Sequence, residues 1–307
     1  MKILYMGTPD FAVLPLKKLV GEKHEILGVI TREDKPKGRG MKVLMTPVKE
    51  YALTEHIPVF QPSTVKDNAI ADLLRELNPE IIIVVAYGKI LPEYILKYPK
   101  YGCVNLHASL LPRYRGSAPI QHAVLNGDEV TGVTTIFMDK GMDTGDILLK
   151  EEVKIEPNDT SESMFEKLSV VGSDLLIRTV NSIVDGTITR TPQQEKFATY
   201  APPIKKEDAR IDWSKTASEI SNLVRGSFSW PIAYTESNIG RIKVYSVCEG
   251  GSSADCGKVI SVSDKGLEVG CGDKTVLITR FQVESGKRMT PAEYFRGHES
   301  IVGSYLK

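Results

Sequence analysis

The sequence predicts an α/β fold of two domains, a parallel β-sheet with crossover helices followed by a small β-barrel. Up to residue 189, runs rich in Ile, Val and Leu alternate with stretches of helical periodicity. Beyond residue 205, one helical stretch is followed by short strand-like runs separated by turn residues. The 307 residues also exceed the usual size of a single hydrophobic core, so length favours two domains.

The first domain is predicted from strands and helices that alternate along the chain. Strands are predicted at 2–7, 24–31, 80–88 and 103–109, with a further pair at 132–138 and 146–155. Helices are predicted at 10–20, 47–55, 66–77, 117–126 and 160–185. Parallel strands need crossover connections, which such helices supply. We therefore expect a parallel sheet within residues 1–189.

The composition and periodicity of the sequence change at the boundary to the second domain. The segment TRTPQQEKFATYAPPIKKEDARIDW contains three prolines and little periodicity. It predicts a surface linker over 190–205 and a second domain over 206–307. In the second domain a helix is predicted at about 214–225, and strands at 231–237, 241–247, 257–266, 267–274 and 275–283.

Composition disfavours several classes of protein. Lys plus Arg and Asp plus Glu number 39 each, so no net field indicates a nucleic-acid or membrane partner, although a local patch is compatible with neutrality. The four cysteines form no C-x-x-C pair, which disfavours zinc and a disulfide framework. The start MKILYMGTPDF lacks a signal-peptide pattern, and no run approaches the ~20 apolar residues that span a bilayer. We expect a cytoplasmic protein.

An Asn and a His lie two residues apart at the end of a predicted buried strand, in VNLHASLLPRYRG at 104–116. Strand side chains alternate between faces, so Asn105 and His107 project from the same face. In a plain core each would need a hydrogen-bond partner to avoid a cost of roughly 1–3 kcal/mol. A single His is more often structural, but this pair lies where open α/β sheets place their sites, which favours catalysis.

The loop MDKGMDTGDIL, residues 138–148, carries three carboxylates, Asp139, Asp143 and Asp146. One interpretation is a hard-metal site, which is disfavoured because Ca²⁺ takes about 6–8 oxygen ligands and no EF-hand spacing is present. A second is a solvated turn. A third is that one Asp orients and charges His107. The residues alone leave open which Asp that is.

Asn105, His107 and an Asp are suited to acyl-type transfer without a covalent enzyme intermediate. The Asn amide can donate a hydrogen bond to a carbonyl oxygen that becomes anionic. A protonated His107 can stabilise the same oxygen or protonate a leaving nitrogen. Ser109 is disfavoured as a nucleophile because it is too close in sequence and lacks a G-x-S-x-G elbow.

The first loop, GTPDFA at 7–12, lies where doubly wound folds bind ligands. It has one Gly where the dinucleotide fingerprint has three, and G-x-x-x-x-G-K-[ST] is absent, so no nucleotide cofactor is expected. Two interpretations stay open: a tight strand-to-helix turn with Asp10 near the helix start, or substrate contact.

A basic loop follows the second predicted strand, in REDKPKGRGMKVLMTP at 32–47. Between 35 and 45 it has four basic residues, no acidic residue and several apolar ones. The basic residues are Lys35, Lys37, Arg39 and Lys42. A solvated charge run is one interpretation. The embedded apolar residues favour the other, a loop that straddles phosphates and packs against bases.

Five segments carry a family resemblance. They are GTPDFA at 7, the GRG-containing loop at 38, AYGKILP at 86, NLHASLLPRYRGSAPIQ at 105 and MDKGMDTGDI at 138. Over nearly its whole length the chain resembles the folate-dependent formyltransferases. The Asn-x-His core is shared with enzymes that act on glycinamide ribonucleotide or sugar nucleotides. The basic loop, GTPDFA and the appended C-terminal domain select the enzymes that act on methionyl-tRNA.

The resemblance implies a Rossmann-like catalytic domain, an OB-like C-terminal barrel that contacts tRNA, and a role in translation initiation. It implies transfer of the formyl group of 10-formyltetrahydrofolate to the α-amino group of methionyl initiator tRNA. The matching catalytic residues are Asn105, His107 and Asp143. The matching tRNA-binding residues are Lys35, Lys37, Arg39 and Lys42. The matching folate-binding residues are Tyr87, Gly88, Ile90, Leu91, Ser109, Leu110, Leu111 and Pro112.

The remaining expectations concern metal, assembly and rival activities. No metal and a monomer are expected. Residues 206–307 hold 14 basic and 13 acidic side chains, so the C-terminal domain departs from a strongly basic tRNA-binding surface. Three alternatives stay open: a hydrolase that releases formate from formyltetrahydrofolate, a non-catalytic RNA-binding protein, and a sugar-nucleotide formyltransferase.

Overall fold

The computed structural model describes residues 1–22, 24–37, 42–251 and 253–307, with the backbone alone at 36, 37 and 42. These residues form two compact units. The first consists of Met1–Pro119, Val130–Lys154 and Phe165–Pro202, and the second of Ile120–Glu129, Ile155–Met164 and Pro203–Lys307. The domain limits of 1–189, 190–205 and 206–307 stay a prediction.

The first unit is built on a seven-stranded sheet in the order β10-β9-β7-β6-β1-β2-β5. Its strands from β7 to β5 are parallel, whereas β9 is antiparallel to β7 and β10 is antiparallel to β9. The strands of this unit are β1 (Lys2–Gly7), β2 (Glu25–Ile30), β3 (Lys35–Lys37), β4 (Lys42–Leu44), β5 (Val59–Phe60), β6 (Ile81–Val85), β7 (Cys103–His107), β8 (Arg115–Gly116), β9 (Val130–Phe137), β10 (Ile147–Lys154) and β11 (Tyr200–Ala201). The predicted fold class is confirmed.

The helices before residue 203 are bounded by recognisable local signals. They are α1 (Val13–Gly21), α2 (Pro47–Thr54), α3 (Ala71–Leu77), α4 (Glu93–Leu96), α5 (Pro119–Leu125) and α6 (Ser161–Val184). At α2 the Thr46 side chain caps the helix by accepting from the Lys49 amide, and Pro47 occupies its first position. Helix α3 begins at residue 71, later than the predicted 66, because Asp67 and Asn68 have positive φ.

The central strands of the sheet are buried over their whole length. Every residue of β6 and β7 is buried, as expected for parallel strands covered on both faces. The Tyr5 hydroxyl on β1 donates to the Ala12 carbonyl at 2.6 Å, and burial raises the pKa of Tyr5 well above its usual value. Asn105 and His107 are therefore buried polar residues in a strand whose other residues belong to the hydrophobic core.

The segment predicted as a basic loop contains a short hairpin, in which β3 and β4 pair antiparallel with Lys35 opposite Leu44. Hydrogen bonds among polar side chains stabilise the base of this hairpin. The Lys49 ammonium lies 2.5 Å from the Asp34 carboxylate and 2.7 Å from Gln61 Oε1. The Gln61 amide donates to Asp34 and to the Arg32 carbonyl, both at 2.7 Å. Hydrogen bonds from Lys49 and Gln61 lower the pKa of Asp34.

The second unit contains a five-stranded antiparallel sheet in the order β12-β13-β16-β15-β14. Its strands are β12 (Tyr234–Ser237), β13 (Gly240–Glu249), β14 (Val259–Ser263), β15 (Gly266–Gly270) and β16 (Thr275–Val283), and the helices that lie wholly within it are α7 (Ala217–Gly226) and α8 (Pro291–Phe295). Both helices start with a capping box, Thr216 with Glu219 and Thr290 with Glu293. Within the described residues, no helix is long and apolar enough to cross a membrane.

Candidate active site

The Asn-x-His pair lies at the carboxyl end of β7, between β6 and β9 in the sheet. Asn105 is paired with Val84 of β6, and His107 with Thr134 of β9. Both side chains are buried, with 9% of Asn105 and 6% of His107 exposed. The carboxyl ends of parallel strands are where open α/β sheets place ligands. The strand therefore delivers an amide and an imidazole to one point at this edge.

Asp143 is the carboxylate that faces both residues. Its Oδ1 atom lies 3.5 Å from Asn105 Nδ2, and its Oδ2 atom lies 3.6 Å from His107 Nδ1. The Gly116 backbone N–H donates to Oδ2 at 2.9 Å. Asp143 has φ 55°, a left-handed conformation that Asp tolerates better than most residues. The three side chains, two from β7 and one from the 138–148 loop, thus meet within hydrogen-bonding range or slightly beyond it.

The hydrogen bond at the far side of the imidazole fixes its tautomer. His107 Nε2 lies 2.9 Å from the Tyr114 carbonyl oxygen. A carbonyl only accepts, so Nε2 carries the hydrogen. Nδ1 is then the nitrogen that faces Asp143. In the charged ring Nδ1 is a donor, and in the neutral ring it is an acceptor.

The other two loop carboxylates have different surroundings. Asp139 Oδ1 accepts from the Gly141 N–H at 3.0 Å and from the Thr144 hydroxyl at 2.6 Å, so it stabilises its own turn. Asp146 contributes its carbonyl oxygen, which accepts from the Phe137 N–H at 2.8 Å. Across the part of the chain that is described, no group of three His, Cys, Asp or Glu side chains is arranged to hold a metal ion.

Neither nucleophilic side chain near the pair is set up to attack a substrate. The Ser109 hydroxyl is fully buried and donates to the Arg113 carbonyl at 2.6 Å. Cys103 begins the same strand, and burial raises the pKa of its thiol to about 12. A buried thiol with so high a pKa is inert. Asp10 is exposed in a 3₁₀ turn, Asp10–Ala12, that makes the tight connection from β1 to α1.

The SLLP segment predicted to bind folate is tied down by its polar neighbours. The Thr134 hydroxyl donates to the Ser109 carbonyl at 2.6 Å, and the Leu111 N–H donates to the same hydroxyl at 3.2 Å. The Lys150 ammonium donates to the Leu111 carbonyl. Ser109 and Leu111 are fully buried, so Leu110 and Pro112 are the members with accessible side chains.

The second predicted folate segment, residues 86–92, leaves the sheet at the end of β6, the parallel neighbour of β7. Tyr87 and Leu91 are buried, whereas Gly88 and Ile90 are exposed. Burial raises the pKa of Tyr87, whose hydroxyl is buried and has no hydrogen-bond partner among the described residues. Gly88 has φ 75°, and its carbonyl accepts from the Arg32 guanidinium. Both segments predicted to bind folate therefore start at the same edge of the sheet as the Asn-x-His pair.

The predicted tRNA-binding residues lie in or between β3 and β4. Lys35 is exposed, and Lys37 and Lys42 are paired opposite each other in the backbone register. Arg39 lies outside the described residues. Val43, Leu44 and Met45 expose 64%, 47% and 47% of their surface. Large apolar side chains so exposed on one short segment are typical of a contact surface.

Sequence reasoning missed the residues that hold the Asp143 loop. The Gln193 amide donates to the carbonyls of Asp143 and Gly145 at 2.7 and 2.8 Å. Arg115, of which 1% is exposed, contacts Gln193 and Glu195. Gln193 lies in a proline-containing segment with no catalytic motif, and no local pattern predicts that an Arg is buried.

Comparisons with known proteins decide the family. A formyl transferase family model matches residues 1–180, and a model of the formyl transferase C-terminal domain matches residues 203–299. The Methionyl-tRNA formyltransferase of Clostridioides difficile is 46% identical over 308 residues, 100% of each chain. That of Acetivibrio thermocellus is 45% identical over 309 residues, 100% of this chain and 99% of the relative. The chain belongs to the methionyl-tRNA formyltransferase family.

Solved structures place the same fold in proteins outside the methionyl-tRNA formyltransferase family. HypX from Aquifex aeolicus, in complex with tetrahydrofolic acid, superposes with a TM-score of 0.66 and 16% identity. The match covers 100% of this chain and 51% of HypX, so the chain spans about half the length of that protein. At this identity the likeness concerns the fold alone.

Proposed function

We propose that the protein transfers the formyl group of 10-formyltetrahydrofolate to the α-amino group of methionyl initiator tRNA, giving formylmethionyl-tRNA for translation initiation. The observation that carries the proposal is the meeting of Asn105, His107 and Asp143 at the sheet edge in a chain of this family. We infer that it acts as a monomer in the cytoplasm.

The segments at the sheet edge suit a folate co-substrate, which supplies a formyl group bonded to nitrogen. Residues 86–92 offer the exposed main chain of Gly88, whereas the hydroxyl of Tyr87 is buried. A pterin presents donors and acceptors that main-chain groups satisfy. Leu110, Pro112 and Ile90 supply accessible apolar contacts. Of the eight residues predicted to bind folate, the buried ones support the backbone of these segments rather than contact the ligand.

Asn105 and His107 act on the formyl oxygen while the amine of the methionyl group attacks the formyl carbon. The carbonyl oxygen gains negative charge as the new C–N bond forms. Asn105 has one amide hydrogen directed at Asp143, at 3.5 Å, and a second one free to donate to that oxygen. His107 donates from Nδ1, the nitrogen identified by its Tyr114 hydrogen bond. Donors held in a buried site stabilise such charge strongly.

Asp143 aligns the imidazole and stabilises its positive charge through Oδ2. The charged His107 gives its Nδ1 proton to the departing folate nitrogen as the bond between that nitrogen and the formyl carbon breaks, and the neutral ring then takes up the proton released by the attacking amine. The buried site holds the two substrates in register, and such positioning provides much of the remaining acceleration. No covalent enzyme intermediate is involved, in agreement with the inert Ser109 and Cys103.

The direct test is an assay with formyl-labelled 10-formyltetrahydrofolate. Label recovered on methionyl initiator tRNA is the expected result. Release of labelled formate without tRNA would identify a hydrolase instead. RNA binding with no turnover would identify a binding protein, and transfer to an amino sugar nucleotide in preference to methionyl-tRNA would identify a sugar-nucleotide enzyme.

The choice among the three loop carboxylates has its own test. Asp143→Ala is expected to lower kcat about 10²-fold, because His107 loses the group that aligns it. Asp139→Ala and Asp146→Ala serve as controls on the same loop and are expected to stay within a few-fold of the wild type. Near-normal turnover in Asp143→Ala with a large loss in either control would transfer the role to that residue.

The basic hairpin is expected to act on tRNA alone. Arg39→Ala should raise the KM for methionyl-tRNA on the order of tenfold, because a cation that pairs with phosphate is lost. The slope of log KM against log salt concentration should fall by about one. The KM for folate should not change, and the exposed Lys17→Ala is the matched surface control. An unchanged KM and an unchanged salt slope for tRNA would contradict the assignment.

A further inference from the structure

Arg115 is a buried cation outside the catalytic trio. It lies on β8, which pairs in parallel with β11 through Arg115 and Tyr200, and 1% of its surface is exposed. Its Nε and Nη2 atoms donate to Gln193 Oε1 at 3.1 and 3.0 Å. Its Nη1 atom donates to the two carboxylate oxygens of Glu195 at 3.0 and 2.9 Å. A charge is costly to bury, so these partners are what keep it in place.

The contacts of Gln193 fix the orientation of its amide. The guanidinium only donates, so the amide oxygen faces Arg115. The amide nitrogen therefore faces the carbonyls of Asp143 and Gly145, at 2.7 and 2.8 Å, which only accept. Both carbonyls belong to the turn that presents the Asp143 carboxylate. Gln193 thus clamps the backbone of that turn on either side of residue 144.

The backbone next to Arg115 contacts the other side of the same site. The Tyr114 carbonyl accepts from His107 Nε2, and the Gly116 N–H donates to Asp143 Oδ2. Gly116 has φ 122°, and an added Cβ would lie 2.7 Å from the Ala201 carbonyl oxygen. One anchored segment therefore determines the placement of both the imidazole and the carboxylate.

From these contacts we infer that Arg115 and Gln193 are positioning residues, which set the distance between His107 Nδ1 and Asp143 Oδ2. The inference rests on the proposed function, because it assigns these residues a role in that reaction. Arg115 holds Gln193 and the 114–116 backbone. Gln193 holds the left-handed turn at Asp143, a conformation that needs external support.

Gln193→Glu tests the inference with little change in shape. It keeps the acceptor for Arg115 and replaces the donor toward the two carbonyls with an oxygen. We expect kcat to fall roughly 10–10²-fold, the effect of a misplacement of about 1 Å, while the KM values for folate and tRNA stay within about twofold. Gln194→Glu, the same change at the exposed neighbouring position, should leave kcat unaltered. A kcat for Gln193→Glu within twofold of the wild type would overturn the inference.

A double-mutant cycle separates positioning from general loss of stability. In the Asp143→Ala background, Gln193→Glu should lower kcat by less than twofold, since the group that it positions is gone. A further loss as large as in the wild-type background would overturn the inference. Arg115→Lys keeps the charge but not the forked donor, so it should resemble Gln193→Glu in any sample that remains folded by circular dichroism. A folded Arg115→Lys with wild-type kcat would equally overturn it.

Crystal structures of the wild type and of Gln193→Glu decide the question without an activity readout. The separation of His107 Nδ1 from Asp143 Oδ2 is expected to increase by about 1 Å in the variant. An unchanged separation would overturn the positioning role even if transfer to methionyl-tRNA were established. If the wild type transferred no formyl group, the proposed function would fail, and this measurement would still decide whether Gln193 positions Asp143.

Discussion

Replacing His107 with alanine is expected to lower kcat for formyl transfer roughly 10²–10⁴-fold, the contribution of a positioned acid–base group. Among the described residues near the imidazole, neither Ser109 nor Cys103 can replace it. Ser109 is committed to the Arg113 carbonyl, and the pKa of Cys103 is raised to about 12 by burial. Steady-state kinetics with methionyl-tRNA measure the effect, and the KM values should change little because the substrates are held by other residues.

Two variants separate the chemical role of His107 from a structural one. His107→Gln can still donate to the Tyr114 carbonyl but cannot carry a proton, so it should be nearly as slow as His107→Ala. His298→Ala is the matched control. The His298 Nδ1 atom also lies 2.8 Å from a backbone carbonyl, that of Tyr294, but it lies in the other unit and is exposed. A His107→Gln enzyme within tenfold of the wild type would limit the imidazole to holding the 114–116 backbone.

The central part of the site could be predicted because it depends on strand periodicity. A buried strand at 103–109 places Asn105 and His107 on one face whatever the tertiary context, and the structure has them there. The choice of Asp143 over Asp139 and Asp146 could not be made from the loop sequence. It depends on the Gly116 N–H and on Gln193, which approach from 27 and 50 residues away.

The strands and helices that could not be predicted from the sequence are too short to show a periodic pattern. Strands β3 and β4 have three residues each, and α4 and α8 have four and five. Such lengths give no more than one full turn or pleat, so turn and strand patterns cannot be told apart. The start of α3 was also misplaced, because residues 66–70 were included in the predicted helix although Asp67 and Asn68 favour turns and have positive φ.

Replacing Asn105 with alanine is expected to lower kcat roughly 10²–10³-fold, the effect of removing one oxyanion donor. Its amide lies in the site at 9% exposure, and its contact to Asp143, at 3.5 Å, is at the limit of a hydrogen bond. The second amide hydrogen can donate to the substrate oxygen without loss of the contact to Asp143, and that hydrogen bond strengthens as the oxygen becomes anionic. The hydrogen bond from Asn105 therefore stabilises the transition state more than it stabilises the bound substrates. In Asn105→Ala, kcat should fall while the KM values for both substrates stay unchanged.

Asn105→Asp sharpens the same test because it keeps the shape and reverses the electrostatics. A carboxylate in place of the amide repels both the developing oxyanion and Asp143, so Asn105→Asp should be slower than Asn105→Ala. The exposed Asn158→Ala is the control for loss of an asparagine elsewhere. If Asn105→Ala retained kcat within threefold of the wild type, charge stabilisation would have to come from His107 alone. In that case Asn105 would serve only to satisfy Asp143 at the end of β7.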